Sequence, residues 1–186
     1  VLRRNGSSKW TPLATLPTLA DPGYTFIQFT NATNAYLGAA GVGVYRSTDA
    51  GATWMLLRDG PLFPCRAVWS AKQRALVVTS NSSVSRWTGN TSSSWTDVTP
   101  PASAAAQATF SGIAIDPRDD VMYVSEHTTL GGKEPYHNAV YASNADGGWT
   151  QLNDVHKPHN FSADVPWWGT TKFCSSVSAL MVIAAE

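Results

Sequence analysis

The chain contains 186 residues, of which only 14% are charged, and its 13 Lys and Arg residues balance 13 Asp and Glu residues. This length fits one domain or a portion of a larger one. The sparse, balanced charge favours neither a nucleic acid nor an anionic membrane surface, and no apolar run approaches the ~20 residues that a membrane helix needs. We therefore predict no nucleic-acid partner, no membrane span and no bound cofactor.

Four segments of the chain share a Val, a polar strand, a turn and a Trp. In chain order they read VLRRNGSSKWTPL, VYRSTDAGATWMLL, VSRWTGNTSSSWTDV and VYASNADGGWTQL, with tryptophans at Trp10, Trp54, Trp95 and Trp149. The spacings between these tryptophans are 44, 41 and 54 residues. A period of roughly 40 to 50 residues that is rich in short strands is typical of the blades of a β-propeller.

Between these units lie further segments that each read as two β-strands around a turn. They are YTFIQFTNATNAYLGAA, CRAVWSAKQRALVVTS, FSGIAIDPRDDVMYVSE and FCSSVSALMVIAA, rich in Val, Ile, Phe and Tyr. Each blade therefore reads as strands A and B followed by strands C and D. The prediction for residues 1–186 is an all-β propeller of four-stranded antiparallel blades, with about four blade equivalents and half a blade at each terminus.

The second unit carries the most regular turn, with Ser47, Asp49, Gly51, Thr53 and Trp54 at fixed offsets. This pattern resembles the Asp-box (BNR-type) repeat of sialidases and xyloglucanase-type glycoside hydrolases. The resemblance implies a turn between strands C and D, on the perimeter and away from the ligand face. A short carboxylate can bond nearby backbone N–H groups, a Gly can adopt positive φ, and a Trp can cover the hairpin. We therefore predict a structural role for Asp49.

The resemblance does not extend to a catalytic motif. Sialidases use three arginines with a Tyr and Glu pair, whereas here only Arg66 lies near the start of an A strand. A xyloglucanase-type enzyme uses two aspartates in different halves of a tandem propeller, and neither motif is matched. The segment DPRDDVMYV does resemble a recurrent strand pair of such repeats, in which Asp116, Pro117 and Asp120 suit a tight turn between strands A and B.

Two long connections mark the face that we expect to bind a ligand. In a propeller the B-to-C and D-to-A connections share one face, and here residues 126–138 and 153–172 form neighbouring connections of this kind. Connections this long are uncommon unless they are functional or disordered. Aromatic faces stack on sugar rings, so these loops predict a carbohydrate-binding surface. Its candidate residues are Tyr136, Trp167, Trp168, His127, His137, His156 and His159.

Other interpretations of these loops stay open. Trp167 and Trp168 could instead anchor a long loop on the propeller body, with the histidines solvated. Glycoside cleavage generally needs two carboxyl groups about 5 to 10 Å apart, for which Glu126 and Asp164 are the candidates. The pattern HKPH lacks the closed spacing of a zinc motif, so no metal site is predicted.

The sequons and the cysteines indicate the cellular compartment of the protein. The sequons lie at Asn5, Asn31, Asn81, Asn90 and Asn160, more than the roughly two expected by chance. They predict a secreted, extracellular protein that carries N-linked glycans. Cys65 and Cys174 are compatible with one disulfide in that compartment; if they do not pair with each other, each is expected to be buried and free.

The two ends of the chain are compatible with more than one way of completing the propeller ring. The chain lacks an initiator Met and a signal peptide, which we interpret as a processed or excised portion of a longer product. It begins in a C and D pair and ends in an A and B pair. The halves could close a four-bladed ring, could belong to a larger ring, or could pair with neighbouring molecules through open strand edges.

The function predicted from the sequence is that of a binding module. We favour a secreted propeller that recognises carbohydrate or a partner, or contributes to an extracellular assembly, without catalysis. The alternative is a fragment of a glycoside hydrolase that acts on a polysaccharide. The two differ because an enzyme needs an acid and a nucleophile or base together in a cleft, whereas a binding module needs only an aromatic platform.

Overall fold

The structure is a computed structural model, and it describes residues 2–5, 9–12, 16, 23–57, 59–89, 95–101, 108–128 and 137–154. The strands in these residues are β1 (Leu2–Asn5), β2 (Lys9–Pro12), β3 (Tyr24–Phe29), β4 (Ala35–Ala39), β5 (Gly43–Ser47), β6 (Met55–Leu57), β7 (Pro64–Ser70), β8 (Ala75–Ser80), β9 (Val84–Trp87), β10 (Trp95–Asp97), β11 (Ala108–Ile115), β12 (Met122–Thr128), β13 (His137–Ser143) and β14 (Trp149–Asp154). None of the described segments forms a helix that could cross a membrane.

The strands form three antiparallel four-stranded sheets and one two-stranded hairpin. Blade 1 consists of β3 to β6, blade 2 of β7 to β10 and blade 3 of β11 to β14, each in chain order, while β1 and β2 form the hairpin. β7 packs against both β3 and β11, so the first strands of the blades lie side by side. This arrangement is that of a β-propeller, and it confirms the predicted all-β fold of antiparallel four-stranded blades.

Blade 2 is held between two layers of apolar side chains. Its second strand, β8, is buried along its whole length, and successive side chains of a strand face opposite sides of the sheet. Leu76 and Val78 pack towards blade 1 with Tyr36, whereas Val77 packs towards blade 3 with Tyr141. The uninterrupted apolar run in β8 thus follows from burial on both faces of the sheet.

Each of the three described pairs of A and B strands is irregular at the same point. Register shifts occur between Tyr24 and Phe26, between Pro64 and Arg66, and between Phe110 and Gly112. An irregularity of this kind bends the strand and re-aims its side chains. All three lie at the start of an A strand, at the end of the blades from which the B-to-C connections leave.

Blade 3 corrects the predicted loop bounds. β12 and β13 extend into the predicted loop, so the connection between them spans 129–136 instead of 126–138. Glu126, His127 and His137 are therefore paired strand residues. The polar composition of this stretch concealed the pairing, because a strand ladder is made by backbone groups and tolerates polar side chains at the end of a blade.

The B-to-C connections of the first two blades are shorter than that of blade 3. β4 and β5 are joined by residues 40–42, and β8 and β9 by residues 81–83, so the B-to-C connections of blades 1 and 2 are short. The strand pair predicted within 173–185 lies outside the described residues. The three blades therefore expose two distinct ends: a turn face, which carries the A-to-B and C-to-D turns, and an opposite face, which carries the B-to-C connections.

Candidate functional site

The turn between β5 and β6 is shaped by its own side chains. Ser47 Oγ donates to Asp49 Oδ1 at 2.8 Å and accepts the Gly51 backbone N–H at 2.8 Å. Asp49 Oδ1 also accepts the Thr53 backbone N–H at 2.8 Å, and Asp49 Oδ2 accepts the Thr53 hydroxyl at 2.6 Å. Trp54 donates its indole N–H to the Gly51 carbonyl at 3.1 Å. The polar groups of the motif are thus used to hold the turn.

These hydrogen bonds favour the charged form of the carboxylate. The side-chain and backbone hydrogen bonds from Thr53, together with that from Ser47, lower the pKa of Asp49 from 3.8 to about 2. The backbone is in the left-handed region at Ala50, with φ of 60°, and at Gly51, with φ of 88°. A glycine at the second of these positions adopts that conformation without steric cost.

The A-to-B turn of blade 3 uses a carboxylate in the same way. Asp116 Oδ1 accepts the Arg118 backbone N–H at 2.9 Å, and the Arg118 guanidinium lies 2.7 Å from Asp116 Oδ2. The side-chain hydrogen bond from Arg118 is the main cause that lowers the pKa of Asp116 to about 2. Asp120, with φ of 69°, accepts the hydroxyl of Ser70 in blade 2. This turn therefore also links two neighbouring blades.

A cleft opens on the turn face between blades 1 and 2, with a volume of about 410 Å³. We call it the interblade cleft. Tyr36 is stacked on Trp69, with ring centroids 6.0 Å apart and an interplanar angle of 18°. The same ring meets Trp87 edge-on at 5.5 Å. The Arg46 guanidinium lies over the Trp87 ring, 5.4 Å from its centroid, and Arg74 lines the cleft from the A-to-B turn of blade 2.

Glu126, one of the two candidate carboxyls for glycoside cleavage, is buried in blade 3. Only 2% of its surface is exposed, and its Oε2 accepts the hydroxyl of Tyr141 at 2.6 Å. It lies on the same side of β12 as Met122 and Val124, which pack in the layer between blades 2 and 3. The structure thus surrounds this carboxyl with core side chains.

The other predicted ligand residues divide into two groups. His127 is paired with Asn138, and His137 is paired with Thr128. The backbones of the two histidines therefore lie in neighbouring residue pairs of the β12 and β13 ladder, at the end of blade 3. Asp154, the last residue of β14, is paired with Ala139 close to the same end. The remaining candidates lie outside the described residues: Tyr136, His156, His159, Asp164, Trp167 and Trp168.

The predicted modification sites also fall partly within the structure. Asn31 is exposed on the turn face, and Asn81 is half-buried between β8 and β9. Asn5 lies in β1, whereas Asn90 and Asn160 lie outside the described residues. Cys65 is buried in β7 and is disulfide-bonded. The only other cysteine in the sequence is Cys174, which the described ranges do not include, so the pairing of these two stays a prediction.

Within the described ranges, no group of three His, Cys, Asp or Glu side chains could hold a metal ion. The histidines of the HKPH segment, His156 and His159, are not among these residues. The carboxylates of the two turns are engaged by hydroxyl, amide and guanidinium groups. The interblade cleft, in contrast, is lined by polar side chains that these two turns do not use.

Comparisons with known proteins agree with this fold. No family model and no curated protein matches the chain. Among solved structures it is similar to a GH74 xyloglucanase from Xanthomonas campestris, with a TM-score of 0.57 and 18% identity over 82% of this chain and 23% of that one. It is also similar to YCF48, solved bound to D1 peptide, with a TM-score of 0.50 and 20% identity over 78% of this chain and 44% of that one.

These likenesses concern the fold alone, because both identities are low. The chain spans less than half the length of either protein. The comparisons and the described blades together establish a propeller.

Sequence reasoning missed the interblade cleft and the partner of Glu126. One signal was present: the first three repeat units read VLR, VYR and VSR, which places Arg46 and Arg86 at equivalent positions of strand C. The partner Tyr141 gave no such signal, because only the register of β12 and β13 brings it beside Glu126.

Proposed function

We propose that this chain belongs to a secreted, N-glycosylated β-propeller whose opposite face binds carbohydrate or a carbohydrate-bearing partner. The observation that carries the proposal is the convergence of strand ends in blade 3. β12 ends at Thr128, β13 begins at His137, and β14 ends at Asp154, all near one end of the same sheet. The two long connections with their aromatic residues therefore start from one place on the opposite face.

A binding role is supported over a catalytic role by the environment of Glu126. A glycosidase acid must reach the leaving oxygen of the substrate, whereas this carboxyl is buried and bonded to Tyr141. An aromatic platform, by contrast, requires only exposed ring faces next to polar groups. The presence of five sequons supports the secreted, glycosylated state.

The test of binding uses a panel of neutral polysaccharides and oligosaccharides, such as xyloglucan and cello-oligosaccharides, with the affinity measured by calorimetry. We expect Trp167→Ala to weaken binding by about tenfold or more, because stacking on an aromatic ring would be lost. The matched control is Leu152→Ala, which removes an exposed apolar side chain from β14. Equal loss in both variants, or no binding to any glycan, would contradict the proposal.

The test of catalysis is made on the same panel by product analysis. We expect no turnover from the unmodified protein, and we expect Glu126→Gln to leave glycan binding unchanged. Turnover that is lost in Glu126→Gln while binding is retained would favour the glycoside hydrolase alternative. Thermal unfolding of the variant checks that any loss of activity is not a loss of fold.

A further inference from the structure

Among the described residues that line the interblade cleft, two are cationic and none carries a carboxylate. Arg46 and Arg74 line it, and none of its lining residues is Asp or Glu. Arg46 Nε is buried and has no hydrogen-bond partner among the residues that the structure describes. A buried donor without an acceptor is costly. A ligand that supplied an acceptor at this point would remove that cost.

The position of Arg74 is not explained by the needs of its turn. Its φ is 50°, in the left-handed region that favours Gly, Asn and Asp. In the A-to-B turn of blade 3, the residue in this conformation is Asp120, with φ of 69°. Blade 2 has instead an arginine that lines the cleft. A residue that is unfavourable for the backbone but suitable for a ligand points to a functional role.

The other side chains that line the cleft have the groups that commonly contact a sugar. Asn31 and Gln73 contribute amides, Thr88 contributes a hydroxyl, and Trp69 contributes aromatic surface. Asn31 is held in place, because its Oδ1 accepts the backbone N–H groups of Thr33 at 2.9 Å and of Asn34 at 2.8 Å. Amides and hydroxyls bond sugar hydroxyls, and aromatic rings pack on the apolar faces of sugar rings. The volume of about 410 Å³ lies within the range of small-ligand sites.

We propose that the interblade cleft binds an acidic saccharide, whose uronic carboxylate is held by Arg46 and Arg74. The planar guanidinium group bonds a carboxylate through two parallel N–H donors. An acidic peptide that binds by strand addition is less suited, because it needs an unpaired strand edge. Tyr36 and Arg46 lie in β4 and β5, which are paired with each other and with strands on both sides.

The interblade cleft is separate from the opposite face, where the long connections of blade 3 begin. The cleft lies on the turn face, between the A-to-B turns of blades 1 and 2, whereas the long connections leave blade 3 at the opposite face. Loss of glycan binding in Trp167→Ala tests the opposite face, whereas loss of acidic-saccharide binding in an arginine variant tests the cleft. Each proposal can therefore fail without the other.

The test compares tetragalacturonate with its fully methyl-esterified form, which keeps the sugar rings and removes the charges. Affinity is measured by calorimetry on the glycosylated protein and again on Thr33→Ala, which removes the Asn31 sequon at the cleft and keeps the Asn31 side chain uncharged. We expect the acid to bind at least about tenfold more tightly than the ester in one or both preparations.

Arginine variants locate the binding to the cleft. We expect Arg46→Gln and Arg74→Asn each to weaken tetragalacturonate binding by about five- to tenfold. Arg74→Asn is also expected to keep or raise the melting temperature, because Asn is favoured in the left-handed region. The matched control is Arg66→Gln, which removes one exposed positive charge at the other end of β7 and should leave the affinity unchanged.

Several outcomes would overturn the proposal. These are equal affinity for the acid and the ester, an equal loss of affinity in Arg66→Gln, and no binding of tetragalacturonate in either preparation. Tetraglutamate that binds as tightly as tetragalacturonate would replace the saccharide with an acidic peptide and would also overturn it. If Arg46→Gln fails to fold, the Arg74→Asn variant and the comparison of the acid with the ester still test whether the cleft binds an acidic saccharide.

Discussion

Asp49 and Asp116 use their carboxylate oxygens to bond groups of their own turns. Asp49 is bonded by Ser47 and Thr53, and Asp116 by Arg118, and each of the two carboxyls has its pKa lowered to about 2. Because the ionised form accepts these hydrogen bonds, it is the form that the folded state favours. Both residues therefore contribute to the fold in a way that depends on pH.

We expect the stability of the protein to fall as the pH decreases from about 4 towards 2. The folded-state pKa of Asp49 is about 2 and its ordinary value is 3.8, so the stabilisation is present above the ordinary value and is lost as the pH falls through the folded-state value. In Asp49→Asn the loss over this window should be smaller than in the unmodified protein, because one linked proton is removed. Denaturant midpoints measured at intervals between pH 6 and pH 2 check this.

If the denaturant midpoints of Asp49→Asn and the unmodified protein changed identically with pH, the linkage between the Asp49 carboxylate and stability would be contradicted. Asp116→Asn provides a second, independent measurement at a turn in another blade. The two substitutions should reduce the pH dependence separately, since the turns share no residue.

At the scale of the element, the repeated Trp at the start of strand D is used differently in each blade. The indole N–H of Trp54 bonds within its own turn, to Gly51. Trp149 donates instead to the carbonyl of Val98, which follows β10 in the neighbouring blade, at 2.7 Å. The Nε1 atom of Trp95 is buried with no hydrogen-bond partner in the described part of the chain. One sequence position thus serves a turn, a contact between blades, or packing alone.

We expect Trp149→Phe to destabilise the protein by about 1 kcal/mol more than Trp95→Phe, because only the first change removes a hydrogen bond between blades. Both changes remove a similar volume from a half-buried indole, so the second is a matched control. The free energy of unfolding from chemical denaturation provides the measurement. Equal destabilisation would show that the bond from Trp149 to Val98 adds nothing to the stability.

The strand pattern of these elements could be predicted, but their ends could not. Alternation of apolar and polar residues and the punctuating Asn, Asp and Pro residues identified β3 to β14. The extension of β12 and β13 was missed because His127 and Thr128 add no apolar residue to the alternating pattern of the strand. Their pairing with Asn138 and His137 is made by the backbone.

At the scale of the whole molecule, each blade is stabilised by its neighbours. Val77 and Val84 of blade 2 pack with Phe110 and Tyr141 of blade 3, and the opposite side of blade 2 packs with Tyr36 of blade 1. The blades at the two ends of such a stack each have one apolar face without a neighbouring blade. The way in which the molecule covers these faces determines its native mass.

We expect the native particle to lose mass when its N-glycans are removed, because the sequence carries five sequons. Native mass spectrometry before and after enzymatic deglycosylation measures this, and an unchanged mass would contradict glycosylation. The mass of the deglycosylated particle distinguishes the three ways in which the propeller ring could be completed. A value near 19.9 kDa supports closure within the chain, a series of multiples supports strand exchange, and one larger polypeptide supports a larger ring.

The sequence by itself determined the class of fold, the order of strands in each blade and the turn role of Asp49. These depend on local chemistry: the period of side-chain burial, the turn preferences of short polar residues and the recurrence of Trp. Only the tertiary structure decided that Glu126 is buried beside Tyr141 and that Arg46 and Arg74 line one cleft. Those contacts join residues that are distant in the chain, and they depend on strand register and on which blade packs against which. A single sequence does not encode such placements in any local pattern.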